Sequence, residues 1–204
     1  MRYRILLGAM LTIFCSDNHI VQRAAQDYFP LRAEYWWRYA SASDTLYVEV
    51  EPADTILEIQ YYPVSYNGVV KYLSKFDNGI AQYVRKVYNY AGNDHTVLED
   101  FIIRLELPLI AENSYQHRLS DSIQVANQLI KAQYDIEGIV VDYLHDSEYG
   151  DVYEVSITTI ESLITPDTSI VDTNEVTEYY APSVGMIRLI DGASEYELLE
   201  YNTP

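Results

Sequence analysis

The chain has little that could cross-link it or attract an anion. It contains a single cysteine, Cys15, among 204 residues, so an intrachain disulfide is excluded and burial must stabilise the fold. Only 13 lysines and arginines stand against 31 acidic residues, which gives a formal net charge of −18. Such a surface repels phosphate backbones and anionic lipid headgroups. We therefore expect no nucleic-acid partner and no membrane attachment through a basic face.

The sequence also lacks the common motifs of catalysis and cofactor binding. It has no G-x-S-x-G, no phosphate-binding loop and no dinucleotide glycine pattern. The four histidines are not at a metal-ligand spacing: His19, His95, His117 and His145. His145-Asp146-Ser147 contains the letters of a catalytic triad, but neighbours in a loop cannot form its geometry by adjacency. We expect no enzyme, cofactor or metal, although two carboxylates that meet only in space, as in glycoside hydrolases, stay open.

Residues 146–151 form an acidic stretch, DSEYGD, with Glu154 beyond it. Oxygen ligands on alternate residues suit calcium. An EF-hand loop, however, has glycine at its sixth position and glutamate at its twelfth, where this stretch has Gly150 fifth and Ile157 twelfth. The pattern favours a solvated hairpin loop over a calcium site.

The first residues have the layout of a secretory signal. Arg2, Arg4 and the amino terminus precede an apolar run from Ile5 to Phe14, and the chain turns polar at Ser16. This run is too short for a membrane-spanning helix, which needs about 20 residues. We expect residues 1–14 to be a signal peptide whose removal takes the net charge to −20, because it carries two arginines and no acid. A buried first strand or helix is the alternative.

Cys15 ends the apolar run, and this segment resembles a bacterial lipoprotein signal. In such signals the cysteine receives a diacylglyceryl group and becomes the first mature residue. Leu11 and Thr12 suit the pattern loosely, whereas Phe14 stands where Gly, Ala or Ser is usual. The resemblance implies a lipid on Cys15, a tether over residues 15–27 and anchoring at the cell envelope. Secretion without a lipid and an uncleaved anchor are the alternatives.

Tyrosine is the compositional outlier, with 21 residues against 4 Phe and 2 Trp. Its ring packs against neighbours while its hydroxyl stays hydrated, which suits half-buried sheet surfaces. We interpret the tyrosines as sheet packing, and an aromatic binding platform is the alternative.

Alternation of apolar and polar residues with period two dominates the first half of the chain, as in TLYVEVE at 45–51. Asn67-Gly68 lies between two alternating runs and predicts a hairpin, because a type I′ turn needs positive φ at both central residues. Further reversals are predicted at 77–79 and 91–94. The pattern indicates an antiparallel meander with at least five strands before residue 108.

The second half has the same character, with strands around the 145–151 loop and a terminal hairpin turned at Asp191-Gly192. Residues 122–135 fit either helical spacing or alternation, and we favour strand. No linker divides the chain, so residues 28–204 are expected to form one all-β domain, a single antiparallel meander in a strongly curved sheet or half-open barrel. Its concave face would hold Leu, Ile and Val, and its convex face Tyr, Glu and Lys.

A six-residue stretch recurs at an offset of 78 residues. FPLRAE at 29–34 is matched by LPLIAE at 107–112, and Trp37 then aligns with Tyr115. The match weakly suggests an internal duplication.

Motifs near both ends of the mature chain carry a family resemblance. The chain has YFPL at 28–31 followed by Trp37 and Tyr39, then YYAPSVG at 179–185 and YELLEY at 196–201. It resembles a broad group of bacterial envelope lipoproteins with Y-F-P-L-x-x-G-x-x-W-x-Y, Y-x-A-P-G-V-G and Y-E-L-x-x-Y. Glu34 and Ser183 stand where the group has glycine, a residue often used for positive φ. The resemblance implies an exported β domain with Trp37 as a core anchor, and it identifies no catalytic residue.

Three functional hypotheses follow. The first is a non-enzymatic lipoprotein that acts by binding or by assembly with envelope components. The second is a carrier or sensor of an apolar small ligand in the concave face, which needs an open apolar cavity of about 300 Å³ or more. The third is a structural subunit that self-associates through edge strands. The expected partners are the membrane, through the lipid on Cys15, and a protein or an apolar ligand.

Overall fold

A computed structural model describes residues 27–203, so the predicted signal peptide and Cys15 lie outside the described residues. Within this range there is no helix. The strands are β1 (Trp36–Ala40), β2 (Thr45–Val50), β3 (Asp54–Ile56), β4 (Ile59–Tyr66), β5 (Val69–Phe76), β6 (Gly79–Tyr90), β7 (Asn93–Glu106), β8 (Ser114–Val125), β9 (Gln128–Asp146), β10 (Gly150–Ile164), β11 (Ser169–Ala181), β12 (Gly185–Asp191) and β13 (Ser194–Asn202).

Neighbouring strands pair antiparallel in the order β7-β6-β5-β4-β2-β1-β13-β12-β11-β10-β9-β8, and the short β3 pairs with β4. The first and last strands pair with each other, so the two ends of the sheet are β7 and β8. These ends still meet, because the Tyr115 hydroxyl on β8 donates to the Arg104 carbonyl on β7 at 2.8 Å. The sheet is therefore nearly closed into a barrel, and the predicted all-β architecture is confirmed.

The predicted turns and the ambiguous segment are resolved by this topology. Asn67 and Gly68 have φ of 48° and 87°, as a type I′ turn requires. The Asn67 side chain also accepts from the Tyr47 amide at 2.8 Å, which joins the turn to β2. Residues 122–135 lie in β8, in β9 and in the turn between them, so the strand prediction is confirmed.

The recurring stretch ends with the same backbone hydrogen bonds at both places. The Glu34 amide donates to the Val50 carbonyl at 3.0 Å, and the Glu112 amide donates to the Val140 carbonyl at 2.7 Å. The residue after each glutamate bonds back to the same valine, through Tyr35 and Asn113. Both glutamates have positive φ, 74° and 68°. Each stretch therefore enters a strand pair, β1–β2 or β8–β9, in the same way.

The aligned aromatic residues, Trp37 and Tyr115, each lie over a glycine, but on strands that do not correspond: Gly138 pairs directly with Tyr115, whereas Gly185 is on β12, which does not pair with β1. Trp37 packs at 3.5 Å from the position that a Cβ on Gly185 would take, and its Nε1 donates to the Val184 carbonyl at 2.6 Å. Tyr115 covers Gly138, where a Cβ would lie 2.0 Å from the ring. Trp37 is 2% exposed, so its expected role as a core anchor is confirmed.

One end of the barrel is closed by the segment before β1. Tyr28, Phe29 and Leu31 are buried there, and the Phe29 ring lies 6.2 Å from Trp37 and 6.1 Å from Tyr180. At the same end, the Ser183 amide donates to the Asp27 carbonyl at 2.7 Å. Ser183 has a φ of 63°, so this position keeps left-handed backbone without glycine.

The expected division between the two faces is correct for part of the Leu, Ile and Val residues only. It is wrong for others, such as Val69, Ile170 and Val171, which are 67%, 59% and 61% exposed, and for several tyrosines. Tyr39, Tyr153 and Tyr180 are at most 1% exposed and lie on the concave side. Tyr39 and Tyr180 tolerate burial because their hydroxyls have acceptors, the Met186 carbonyl at 2.8 Å and the Glu178 carboxylate at 2.5 Å. Charged side chains also lie on this side, and they form the site described next.

Candidate ligand-binding cavity

An open cavity of about 370 Å³ lies on the concave face of the sheet. Its only aliphatic lining residues are Leu46, Val176 and Leu189. The polar lining residues come from strands throughout the sheet: Tyr66, Lys71, Gln82, Arg104, Tyr134, Thr159, Glu161, Asn174, Glu178, Asp191 and Tyr196. A wider depression, of about 650 Å³ between the turns at 40–43 and 193–197, is lined by alanines, serines and two glutamates. Of these two, only the smaller cavity combines cations, anions and aromatic rings.

A buried ion pair crosses the cavity floor. Arg104 on β7 donates to both carboxylate oxygens of Glu178 on β11, at 2.5 and 2.8 Å, and the Tyr180 hydroxyl donates to the same carboxylate at 2.5 Å. The two side chains are 13% and 7% exposed. Burial opposes both charges, but Arg104 holds the pKa of Glu178 below its ordinary value, and Glu178 holds that of Arg104 above its own. Glu178 is therefore ionised and already satisfied.

A second ion pair crosses the barrel between β6 and β10, from Lys86 to Glu161. The Lys86 ammonium also lies 5.6 Å from the centre of the Tyr134 ring. Burial, together with the charge of Glu161, raises the pKa of Tyr134 to about 12. Each of the two cross-sheet ion pairs, Arg104–Glu178 and Lys86–Glu161, is thus neutral in itself.

Lys71 on β5 is the cation that these pairs leave over. Its ammonium lies 4.9 Å from the centre of the Tyr66 ring, and within residues 27–203 it forms no ion pair. Burial, followed by the positive charge of Arg104, lowers the pKa of Lys71 to about 8, although Glu178 and Asp191 act in the opposite direction. The cavity therefore contains an ammonium group that has lost water without gaining a counter-ion.

Asp191 is the matching anion. It lies at the end of β12, beside the turn into β13, and is exposed at the cavity mouth. Along the described chain its carboxylate forms no ion pair or hydrogen bond, and neither do the side-chain amides of Gln82 and Asn174. The cavity thus offers one ammonium, one carboxylate and two amides to a ligand.

The residues singled out from the sequence lie elsewhere. Cys15 is outside the described residues. The acidic loop is a hairpin turn between β9 and β10, in which Asp146 accepts from the amides of Glu148 and Tyr149 at 2.7 and 2.9 Å. These hydrogen bonds, that from Tyr149 first, lower the pKa of Asp146. Between residues 27 and 203 there is no group of three or more His, Cys, Asp or Glu residues that could hold a metal.

The described histidines occupy strands outside the cavity lining. His95 is in β7, and His117 on β8 contacts the Glu106 carboxylate at 2.9 Å. His145 lies 3.3 Å from Asp151 at the end of β9. The part of the chain that the structure describes has no helix long and apolar enough to cross a bilayer.

The sequence contains a signal for the charged cavity residues in the alternation of the strands. Lys71 lies two residues from Leu73, Arg104 two from Ile102, and Glu178 two from Val176, so each charge has the phase of an inward-facing residue. The expected division of faces places Glu and Lys on the convex side, and it therefore does not predict these inward charges. The phase of the alternation along a strand identifies such residues one at a time, but it does not predict which of them meet across the barrel.

Comparisons with known proteins add little information about the function of this cavity. No protein-family model matches the chain, and no curated protein is similar enough to count as a match. Among solved structures it is similar to a protein from Parabacteroides distasonis ATCC 8503 described as a "putative lipoprotein". The TM-score is 0.43 and the identity 14%, over 87% of this chain and 99% of that one. A likeness this distant transfers no function.

Proposed function

We propose that this protein is an exported lipoprotein of the bacterial cell envelope, anchored through Cys15, that binds a small polar ligand without transforming it. The observation that carries ligand binding is the concave cavity of about 370 Å³. Polar groups inside proteins are normally hydrogen-bonded. Lys71 and Gln82 are half-buried on the cavity wall and form no side-chain hydrogen bond within residues 27–203, so they are available to a ligand, whereas Asp191 and Asn174 are exposed to solvent. The volume lies within the usual range of ligand sites.

The anchoring half of the proposal is supported by the sequence and by the position of Asp27. Asp27 bonds to Ser183 at the closed end of the barrel, whereas Asp191 and its turn lie at the other end of β12. The 11 residues between Cys15 and Asp27 span at most roughly 36 Å. A lipid on Cys15 would thus hold the closed end near the membrane and leave the cavity mouth facing away.

Lipid attachment is tested on the full chain by membrane fractionation and by mass spectrometry of the amino terminus. We expect the protein in the membrane fraction with an acylated Cys15 as its first residue, and a Cys15→Ser variant that is unmodified and released. A soluble wild-type protein whose Cys15 is unacylated or absent would contradict the anchoring.

Ligand binding is tested by a thermal-shift screen against sugars, amino acids, short peptides and phosphorylated metabolites. Leu189→Trp places a large ring in the cavity wall, and Leu199→Trp, at a position 56% exposed, is its matched control. A cavity ligand should raise the melting temperature of the wild type and of the control but not that of Leu189→Trp. If no compound class behaves in this way, the binding function is wrong.

The competing hypotheses are supported less well. An apolar carrier needs an apolar cavity, and this lining has only three aliphatic residues. Self-association through edge strands is favoured by one feature, which is that β7 and β8 end the sheet without pairing with each other. Sedimentation at high concentration tests it, since a strict monomer would count against such assembly.

A further inference from the structure

The charges of the cavity separate into those that have a partner and those that do not. The two cross-sheet ion pairs are internally neutral. The groups left over are one of each sign, Lys71 and Asp191, and in residues 27–203 neither forms an ion pair. A ligand that satisfies both must therefore carry one negative and one positive group.

The net charge of the chain argues for the same kind of ligand. Lys71 needs an anionic acceptor, because an ammonium removed from water is stabilised by charge-assisted hydrogen bonds to a carboxylate. A ligand with a net negative charge, however, is repelled by a protein with a formal charge of −18. A molecule that also brings a cation for Asp191 is neutral overall and avoids this repulsion.

The depth of the two groups sets the orientation of such a ligand. Lys71 is half-buried in the cavity, beside the floor formed by Arg104 and Glu178, whereas Asp191 is exposed at the mouth. The ligand's negative group would point inward and its positive group toward solvent. The amides of Gln82 and Asn174 can then donate to and accept from the groups between the two charges.

We infer that the cavity binds a small zwitterion of the amino-acid or short-peptide class, with the ligand carboxylate on Lys71 and the ligand ammonium on Asp191. This inference rests on the proposed function, because it names the ligand class of the same cavity.

The test is isothermal titration of the full-length protein in a polyoxyethylene detergent, which adds no sugar or charge. Glycine, diglycine and triglycine serve as probes with increasing separation of the charges. N-acetylglycine keeps the carboxylate alone, glycinamide keeps the ammonium alone, and N-acetylglycinamide keeps neither. We expect at least one zwitterion to bind, and loss of either ligand charge to weaken binding about tenfold or more.

Variants assign each charge to its partner. Lys71→Met should weaken binding of the zwitterion and of N-acetylglycine, and Asp191→Asn should weaken binding of the zwitterion and of glycinamide. Lys75→Met is the matched control, because Lys75 is on the same strand but is paired with Asp27 at 2.6 Å. It should leave every affinity unchanged.

The inference is overturned if the capped neutral compound binds as tightly as the zwitterions, or if Lys71→Met binds them as well as the wild type. It is also overturned, with the proposed function intact, if no zwitterion binds while a sugar such as maltose raises the melting temperature of wild type but not of Leu189→Trp. If nothing in the wider screen binds, both fail together.

Discussion

Replacing Lys71 with methionine should make the protein more stable, although it removes a charged group from the proposed binding site. Burial lowers the pKa of Lys71 from an ordinary 10.5 to about 8. Since a tenfold change in an equilibrium constant is about 1.4 kcal/mol, the protonated lysine lowers the free energy of unfolding by about 3 kcal/mol. Methionine keeps a similar length and loses the contact with the Tyr66 ring, about 1 kcal/mol. The net gain is about 2 kcal/mol, or about 4–8 °C in Tm.

The gain in stability should depend on pH, and this dependence is a second test of the effect of burying the Lys71 ammonium. Below pH 8 the amine is protonated in both states, so the folded protein carries the full penalty. As the pH rises through 8 toward 10.5, the folded amine is neutral while the unfolded one stays charged, and the penalty fades. The groups facing Lys71 are Tyr66, Arg104, Glu178 and Asp191. The first three stay in one protonation state over this range, because the pKa of Tyr66 is raised and Arg104 and Glu178 stabilise each other.

Urea denaturation followed by tryptophan fluorescence at pH 7 and pH 9.5 measures both effects. The difference between Lys71→Met and the wild type should be about 2 kcal/mol at pH 7 and smaller at pH 9.5. Lys75→Met, which removes only a surface ion pair, should change stability by less than about 1 kcal/mol. A Lys71→Met variant no more stable than wild type, or a difference that does not change with pH, would refute the reasoning.

Three further substitutions test other parts of the structure by urea denaturation. Glu178→Leu leaves the Arg104 guanidinium buried without its counter-ion and should lower the free energy of unfolding by about 3–5 kcal/mol. In the double variant, Arg104→Met should restore most of this loss. Gly138→Ala places a Cβ 2.0 Å from the Tyr115 ring and should lower the free energy of unfolding by about 1–3 kcal/mol. The double variant with Tyr115→Ala should lose less stability than the two single variants together. Ser183→Gly relieves a φ of 63° and should raise the free energy of unfolding by up to about 1 kcal/mol. Additive effects in either double variant, or a destabilised glycine variant, would contradict these arguments.

The architecture was predictable because its determinants are local. Alternation with period two defines a strand and its two faces, and Asn67-Gly68 defines a reversal, without reference to distant residues. The closure of the sheet was not predictable in the same way. A simple meander would place the first and last strands at its edges, whereas β1 pairs with β13 and the opening lies between β7 and β8. That choice depends on contacts between residues far apart in the chain.

The recurring stretch shows how a weak sequence signal can have a definite structural basis. FPLRAE and LPLIAE share four of six residues, and each ends in a glutamate with positive φ whose amide donates to a valine carbonyl on the second strand of a pair. The shared geometry lies at the glutamate, whereas the peptide bond before proline is cis at Leu107-Pro108 and trans at Phe29-Pro30. The short sequence match therefore corresponds to a shared backbone turn.

The cavity could not be predicted because its residues are far apart in the sequence and only the curvature of the sheet brings them together. Lys71 and Asp191 are 120 positions apart, and alternation shows only that Lys71 has an inward phase. Reading Glu and Lys as outward-facing residues is sound for an open sheet, where they can stay in water. It fails in a nearly closed one, because a charge on the concave wall can meet an opposite charge from another strand, as Arg104 meets Glu178.

The instability at Lys71 and the proposed binding have one physical cause, and this predicts a proton linkage. A carboxylate placed on Lys71 would stabilise the ammonium form and raise the pKa of Lys71 from about 8 toward its ordinary value. At pH 8.5 the free protein holds this amine largely neutral, so zwitterion binding should take up a proton there and little at pH 7. Titration of glycine in two buffers of different ionisation enthalpy measures the uptake, and Lys71→Met gives the contribution of the ligand's own amine. Equal enthalpies in both buffers at pH 8.5, or the same uptake in Lys71→Met, would mean that the ligand does not contact Lys71.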